Sequence, residues 1–153
     1  MLPIIQISKP FSEQPPPKTQ FILQFDGCSK GNPGISGAGA VIYKDGNEIW
    51  SSSVFVGKKH TNNQAEYMGL IIGLEEAINR NITTLCVEGD SLLIINQMTG
   101  QYKCNSSSLL DYYVRAKGLE KQIDDIYFNH IYRTKNKRAD QLSNIAVEKY
   151  IEL

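Results

Sequence analysis

Apolar residues along this chain recur at two spacings that take turns. Residues 21–28, FILQFDGC, form a compact aromatic and aliphatic run that ends in a Gly/Asn/Pro cluster, as a buried strand running into turns does. GAGAVIYK at 37–44 and NEIWSSSVFV at 47–56 read as two further strands, and the Asp45-Gly46 pair between them is a hairpin signal. The chain therefore opens as an antiparallel meander. From Thr61 the spacing lengthens: Tyr67, Leu70, Ile71, Leu74 and Ile78 recur at the helical period, with Thr61 or Asn62 as cap and Glu66 in the first turn. Residues 84–88 read as a strand, 91–98 as a short helix stopped near Gly100, 106–122 as a helix, 126–132 as a strand and 136–150 as a final helix.

Three strands followed by alternating helices and strands predict an α/β fold with a mixed sheet. Ligands of such sheets favour the ends of parallel strands, and Asp26 and Asp90 fall there. Residues 1–20, with Pro15, Pro16 and Pro17, read as an extended or mobile leader, and residues 21–153 as one domain. At 153 residues and 41% apolar the chain can bury one core, not two. It contains no internal repeat and no run long enough to span a membrane.

Charge changes the picture more than composition does. Sixteen basic residues balance sixteen acidic ones, so any nucleic-acid contact must use a local basic patch rather than a generally cationic surface. Arg133, Lys135, Lys137 and Arg138 form the densest such cluster, readable as phosphate-facing or as a solvated face. Three widely spaced cysteines, Cys28, Cys86 and Cys104, suit neither a disulfide framework nor a zinc knuckle, and with no targeting signal they point to a reducing, cytoplasmic or otherwise intracellular setting.

Four acids stand where a strand ends or a helix starts: Asp26 in FDGCSKGNPG, Glu66 in TNNQAEY, Asp90 in VEGDS and Asp140 in KNKRADQLSN. If the fold gathers them, their mutual repulsion calls for divalent cations, and oxygen-only ligands point to Mg²⁺ or Mn²⁺ rather than zinc. Each also has a plain structural role open to it: a turn former at Asp26, a helix-dipole residue at Glu66, an N-cap at Asp90 and an exposed helix charge at Asp140.

FDGCSKGNPGISGAGAVI, TNNQAEYMGLIIGLEEA, VEGDSLLIINQMTGQYK and NKRADQLSNIA together resemble the ordered blocks of the type-1 ribonuclease H family, over about residues 21–150. The resemblance implies the family's five-stranded mixed sheet flanked by helices. It implies hydrolysis of the RNA strand of an RNA/DNA hybrid, to 3′-hydroxyl and 5′-phosphate ends, with two Mg²⁺ ions held by Asp26, Glu66, Asp90 and Asp140. Those two ions would balance the four carboxylates in formal charge.

The resemblance extends to Cys28, Ser29, Asn62, Asn63 and Gln64 as contacts to the hybrid's minor groove. Gly27, Ser29, Gly31, Asn32 and Gly34 are expected to form a loop whose amides meet RNA 2′-hydroxyls. Helix capping is the other reading of the asparagines. His130, ten residues before Asp140, matches a family histidine that assists proton transfer or product release, although HIYRTKNKRAD can equally continue a strand. The likeness is to the compact branch, without a hybrid-binding domain or a dense basic protrusion, and no obligate protein partner is evident. A catalytically inactive binding module on the same fold, and a junction resolvase or integrase core, are the alternatives.

Overall fold

The computed structural model describes residues 21–152, so the expected leader at 1–20 lies outside the described residues. Ten elements follow one another: β1 (Phe21–Lys30), β2 (Gly34–Lys44), β3 (Asn47–His60), α1 (Asn62–Asn79), β4 (Thr84–Gly89), α2 (Leu92–Met98), α3 (Ser107–Glu120), β5 (Asp125–His130), a 3₁₀ turn (Arg133–Lys135) and α4 (Lys137–Glu152). The sheet runs β3-β2-β1-β4-β5, antiparallel across β3, β2 and β1 and parallel across β1, β4 and β5. This is the mixed sheet the alternating periods predict.

Alternation along the strands sorts the two faces. Leu23, Phe25, Ala40 and Ile42 are fully buried in the main core with Tyr67, Leu70, Ile71 and Leu74 of α1, while Val41 packs on the other face with Ala139 and Leu142 of α4. Helix α1 starts at Thr61 through a reciprocal cap. Thr61 Oγ1 accepts from the Gln64 N–H at 3.1 Å, and Gln64 Oε1 accepts from the Thr61 N–H at 2.9 Å. Asp45 and Gly46 take φ of 52° and 84°, as a tight primed hairpin turn requires.

Several boundaries differ from expectation, for identifiable reasons. The glycine-rich stretch is not a loop from Gly27 to Gly34: β1 runs on to Lys30 because its residues keep pairing with β2, down to Lys30↔Ile35, leaving only 31–33 as the turn. Glu66 is not in the first turn of α1, since the Thr61 cap starts the helix at Asn62 and puts Glu66 one turn in. The last strand ends at His130, two residues earlier than the apolar pattern suggests, where the chain bends into the 3₁₀ turn.

Candidate active site

Two glycines let helices approach the sheet closely enough to gather the acids. A side chain at Gly27 would overlap the backbone of Ala65 and Glu66, so only glycine lets α1 rest on β1 and bring Glu66 beside Asp26. On the opposite face, a side chain at Gly39 would overlap the Ala139 carbonyl, and its absence lets α4 settle with Asp140 in its first turn. Asp90 follows directly after β4, with Ser91 rather than Asp90 capping α2 through a bond to the Ile94 N–H at 3.3 Å. The capping role open to Asp90 is thus filled by its neighbour.

Asp26, Glu66 and Asp90 each offer a carboxylate oxygen within 4.8 Å of the others. Asp140 lines the same cleft, of about 320 Å³, outside that tight trio. Asp26 is 5% exposed and Glu66 9%. The Gly27 N–H donates to Asp26 Oδ1 at 2.8 Å, the Asn136 amide donates to Asp90 Oδ2 at 3.0 Å, and Asn144 Nδ2 donates to Asp140 O at 2.9 Å and Asp140 Oδ1 at 3.4 Å. Glu66 Oε1 is buried with no hydrogen-bond partner.

The electrostatics follow from this crowding. Burial, then the Asp90 charge, push the Asp26 carboxyl up from 3.8 to about 7. Burial and the charges of Asp26 and Asp90 hold Glu66 well above the usual carboxylate range. Burial also raises the Cys28 thiol, keeping it neutral against the Ser143 carbonyl, to which it donates at 3.4 Å. Converging carboxylates, one with an orphaned oxygen, fit a hard divalent cation bound through oxygen. No bond from a basic side chain neutralises the trio among the described residues, although Arg133 also lines the cleft.

Of the expected substrate contacts, Gly27, Cys28, Ser29 and Asn62 line the cleft with the acids. Asn32, Asn63 and Gln64 do not. Asn32 Oδ1 accepts from the Asn62 N–H at 2.9 Å, tying the β1–β2 turn to the start of α1. Gln64 holds the helix cap and donates from Nε2 to the Ser108 carbonyl at 3.1 Å. His130 is exposed at the end of β5, its Nε2 3.2 Å from the Asp90 carbonyl and its ring edge-on to Tyr132. Arg138 is not a free phosphate ligand: it forms a two-pronged pair with Glu48 at 2.9 and 3.0 Å. Sequence reasoning missed Asn136 and Asn144; the spacing of Asn144 four residues beyond Asp140, on the same helix face, is the signal that could have found the second.

The sequence pattern of the reverse transcriptase-like family matches residues 24–146, a span that includes all four acids. The chain belongs to the type-1 ribonuclease H family. Within that family, ribonuclease HI of Halobacterium salinarum is 39% identical over 125 residues, covering 81% of this chain and 62% of that protein. A bifunctional protein of Mycobacterium tuberculosis is 38% identical over 128 residues, covering 83% of this chain. The solved N-terminal ribonuclease H domain of the mycobacterial protein has a TM-score of 0.83 at 36% identity, over 88% of this chain and 97% of that one. LC11 ribonuclease H1, solved in complex with an RNA/DNA hybrid, has a TM-score of 0.81 at 36% identity, over 86% and 99%. The chain spans only 35% of the length of the mycobacterial relative and 62% of the haloarchaeal one.

Proposed function

We propose that this chain is an endoribonuclease that hydrolyses the RNA strand of RNA/DNA hybrids with two Mg²⁺ ions, Mn²⁺ being able to replace them. The observation that carries the reading is the convergence of Asp26, Glu66 and Asp90 within 4.8 Å, with Glu66 Oε1 buried and unpartnered. Asp26, Glu66, Asp90 and Asp140 would hold the cations. When bound, such ions lower the pKa of an attacking water and stabilise charge on the phosphoryl and leaving 3′-oxygens, giving 3′-hydroxyl and 5′-phosphate ends.

The chain's own residues seat the substrate and move protons. The single hydroxyl proton of Ser29 goes to one of two backbone carbonyls, Gly31 or His60, so toward the groove its oxygen accepts, and an RNA 2′-hydroxyl can donate to it. Gly27, Cys28 and Asn62 complete this side of the groove. Asn32 and Gln64 support it at the turn and at the start of α1, Asn63 reaches the hybrid's minor groove from the first turn of α1, and Arg133 meets a backbone phosphate. His130, exposed at the end of β5 with Nε2 3.2 Å from the Asp90 carbonyl, carries a proton between the reacting phosphate and solvent. The test is a panel of RNA/DNA hybrid, duplex DNA, duplex RNA and a four-way junction, each with Mg²⁺ and with EDTA. Cuts confined to the RNA of the hybrid and dependent on Mg²⁺ are expected; equal cleavage of duplex DNA, or full activity in excess EDTA, overturns the reading. Binding of hybrid without any cutting returns the inactive module.

A further inference from the structure

Asn136 stands immediately ahead of α4, where an asparagine usually accepts from a helix N–H through its side-chain oxygen. Its side chain does otherwise. It is fully buried, its Oδ1 has no partner, and its Nδ2 donates to the Phe25 carbonyl at 2.9 Å and to Asp90 Oδ2 at 3.0 Å. A favourable cap is given up for two bonds that cross the fold.

Those two acceptors lie at a particular place. Phe25 and Gly89 form the last pair of the β1–β4 ladder, so Asp26 and Asp90 are the residues that follow where the two strands stop pairing. One carboxamide there ties the carbonyl preceding Asp26 to the carboxylate of Asp90. The Asn136 carbonyl accepts from the Asp140 N–H at 3.1 Å, so the same residue also anchors the turn that carries Asp140. A carboxylate with one oxygen pinned has lost most of its rotational freedom before a cation arrives, so less ordering remains to be done on binding.

Resting on the metal-ion reading above, we propose that Asn136 is a positioning residue: its amide fixes where the Asp90 carboxylate meets Asp26 and Glu66, and the affinity of the cleft for Mg²⁺ depends on it. Outer partners of metal-ligating carboxylates typically govern affinity by about 10- to 100-fold. The test is Mg²⁺ titration by calorimetry, without nucleic acid, of the wild type and Asn136→Ala, together with thermal melts in EDTA and cleavage as a function of Mg²⁺. Expected are an Mg²⁺ affinity lowered by about 10-fold or more, a cleavage midpoint moved to higher Mg²⁺ by the same factor, and a hybrid KM at saturating Mg²⁺ within about twofold of wild type.

A variant that melts earlier but binds Mg²⁺ as wild type does shows a packing role alone and overturns the proposal. Wild type that binds no Mg²⁺ removes the metal-ion reading and this proposal with it, whereas equal binding by both proteins removes only the proposal. If Asn136→Ala does not fold, the side-chain NH₂ resonances of Asn136 in the wild type decide: they shift on saturation with Mg²⁺, and unmoved signals overturn the inference.

Discussion

Asp26→Asn removes one charge from the cleft while keeping its shape, since the asparagine carbonyl can still accept from the Gly27 N–H. In the metal-free protein the Asp26 carboxyl is 5% exposed and raised from 3.8 to about 7 by burial and then by Asp90. At about 1.4 kcal/mol per pKa unit, that difference is worth at most roughly 4 kcal/mol, with part of the repulsion shared with Asp90 and Glu66. The folded value lies above the unfolded one, so this contribution to stability is fully present below 3.8 and is lost as pH rises through about 7. Metal-free wild type should therefore weaken between about pH 4 and pH 8 in a way the variant does not. In urea unfolding with EDTA, Asp26→Asn should be the more stable protein at about pH 8, by up to roughly 4 kcal/mol, and the two should converge near pH 4. Saturating Mg²⁺ should reverse the order, because the cation stabilises the wild type by mass action, while hybrid cleavage by the variant falls by several orders of magnitude. Stability curves that run parallel across this pH range would refute the account of the cleft as a site strained by its own charge.

Gly27→Ala should cost about 1–3 kcal/mol or more and lower cleavage without restoration by excess Mg²⁺, because α1 must move away from β1; a crystal structure with Glu66 undisplaced would contradict it. His130→Ala should reduce kcat by around 10²-fold and leave hybrid KM nearly unchanged, since solvent partly replaces a proton carrier; unchanged kcat in steady-state assays would assign His130 to the strand end alone. Arg138→Ala should cost about 0–1 kcal/mol through the partly exposed Glu48 pair and leave the salt dependence of hybrid binding unaltered; a shallower salt slope would show that Arg138 reaches phosphate after all.

How much of this is legible in the sequence depends on whether a residue's role is local. The Asp45-Gly46 hairpin and the Thr61 cap are readable because turn and cap chemistry involve residues within a few positions of one another. The four acids are readable as a set because each lies in a recognisable block. What cannot be read is a role fixed by a distant partner. Asn136 has the local look of a cap, yet its amide bonds Phe25 and Asp90, and Arg138 looks like a phosphate ligand until Glu48 is seen across from it. Gly27 looks like part of a loop because the pairing that keeps it in β1 comes from β2, and the helix that rests on it starts more than thirty residues later.

The acids come from β1, α1, the end of β4 and α4, so no single supersecondary unit carries a working cation site. With cations held there as proposed, the cleft would report on the integrity of the whole molecule: lifting any one of those elements would release the ions, and bound ions would in turn resist the lifting of all of them together. A chain only partly folded, on its way in or out, would hold neither cation nor the means to cut RNA. On the proposed function, hydrolytic power would thereby be confined to the fully assembled protein, and a nuclease built this way would carry its own safeguard against acting before it is finished.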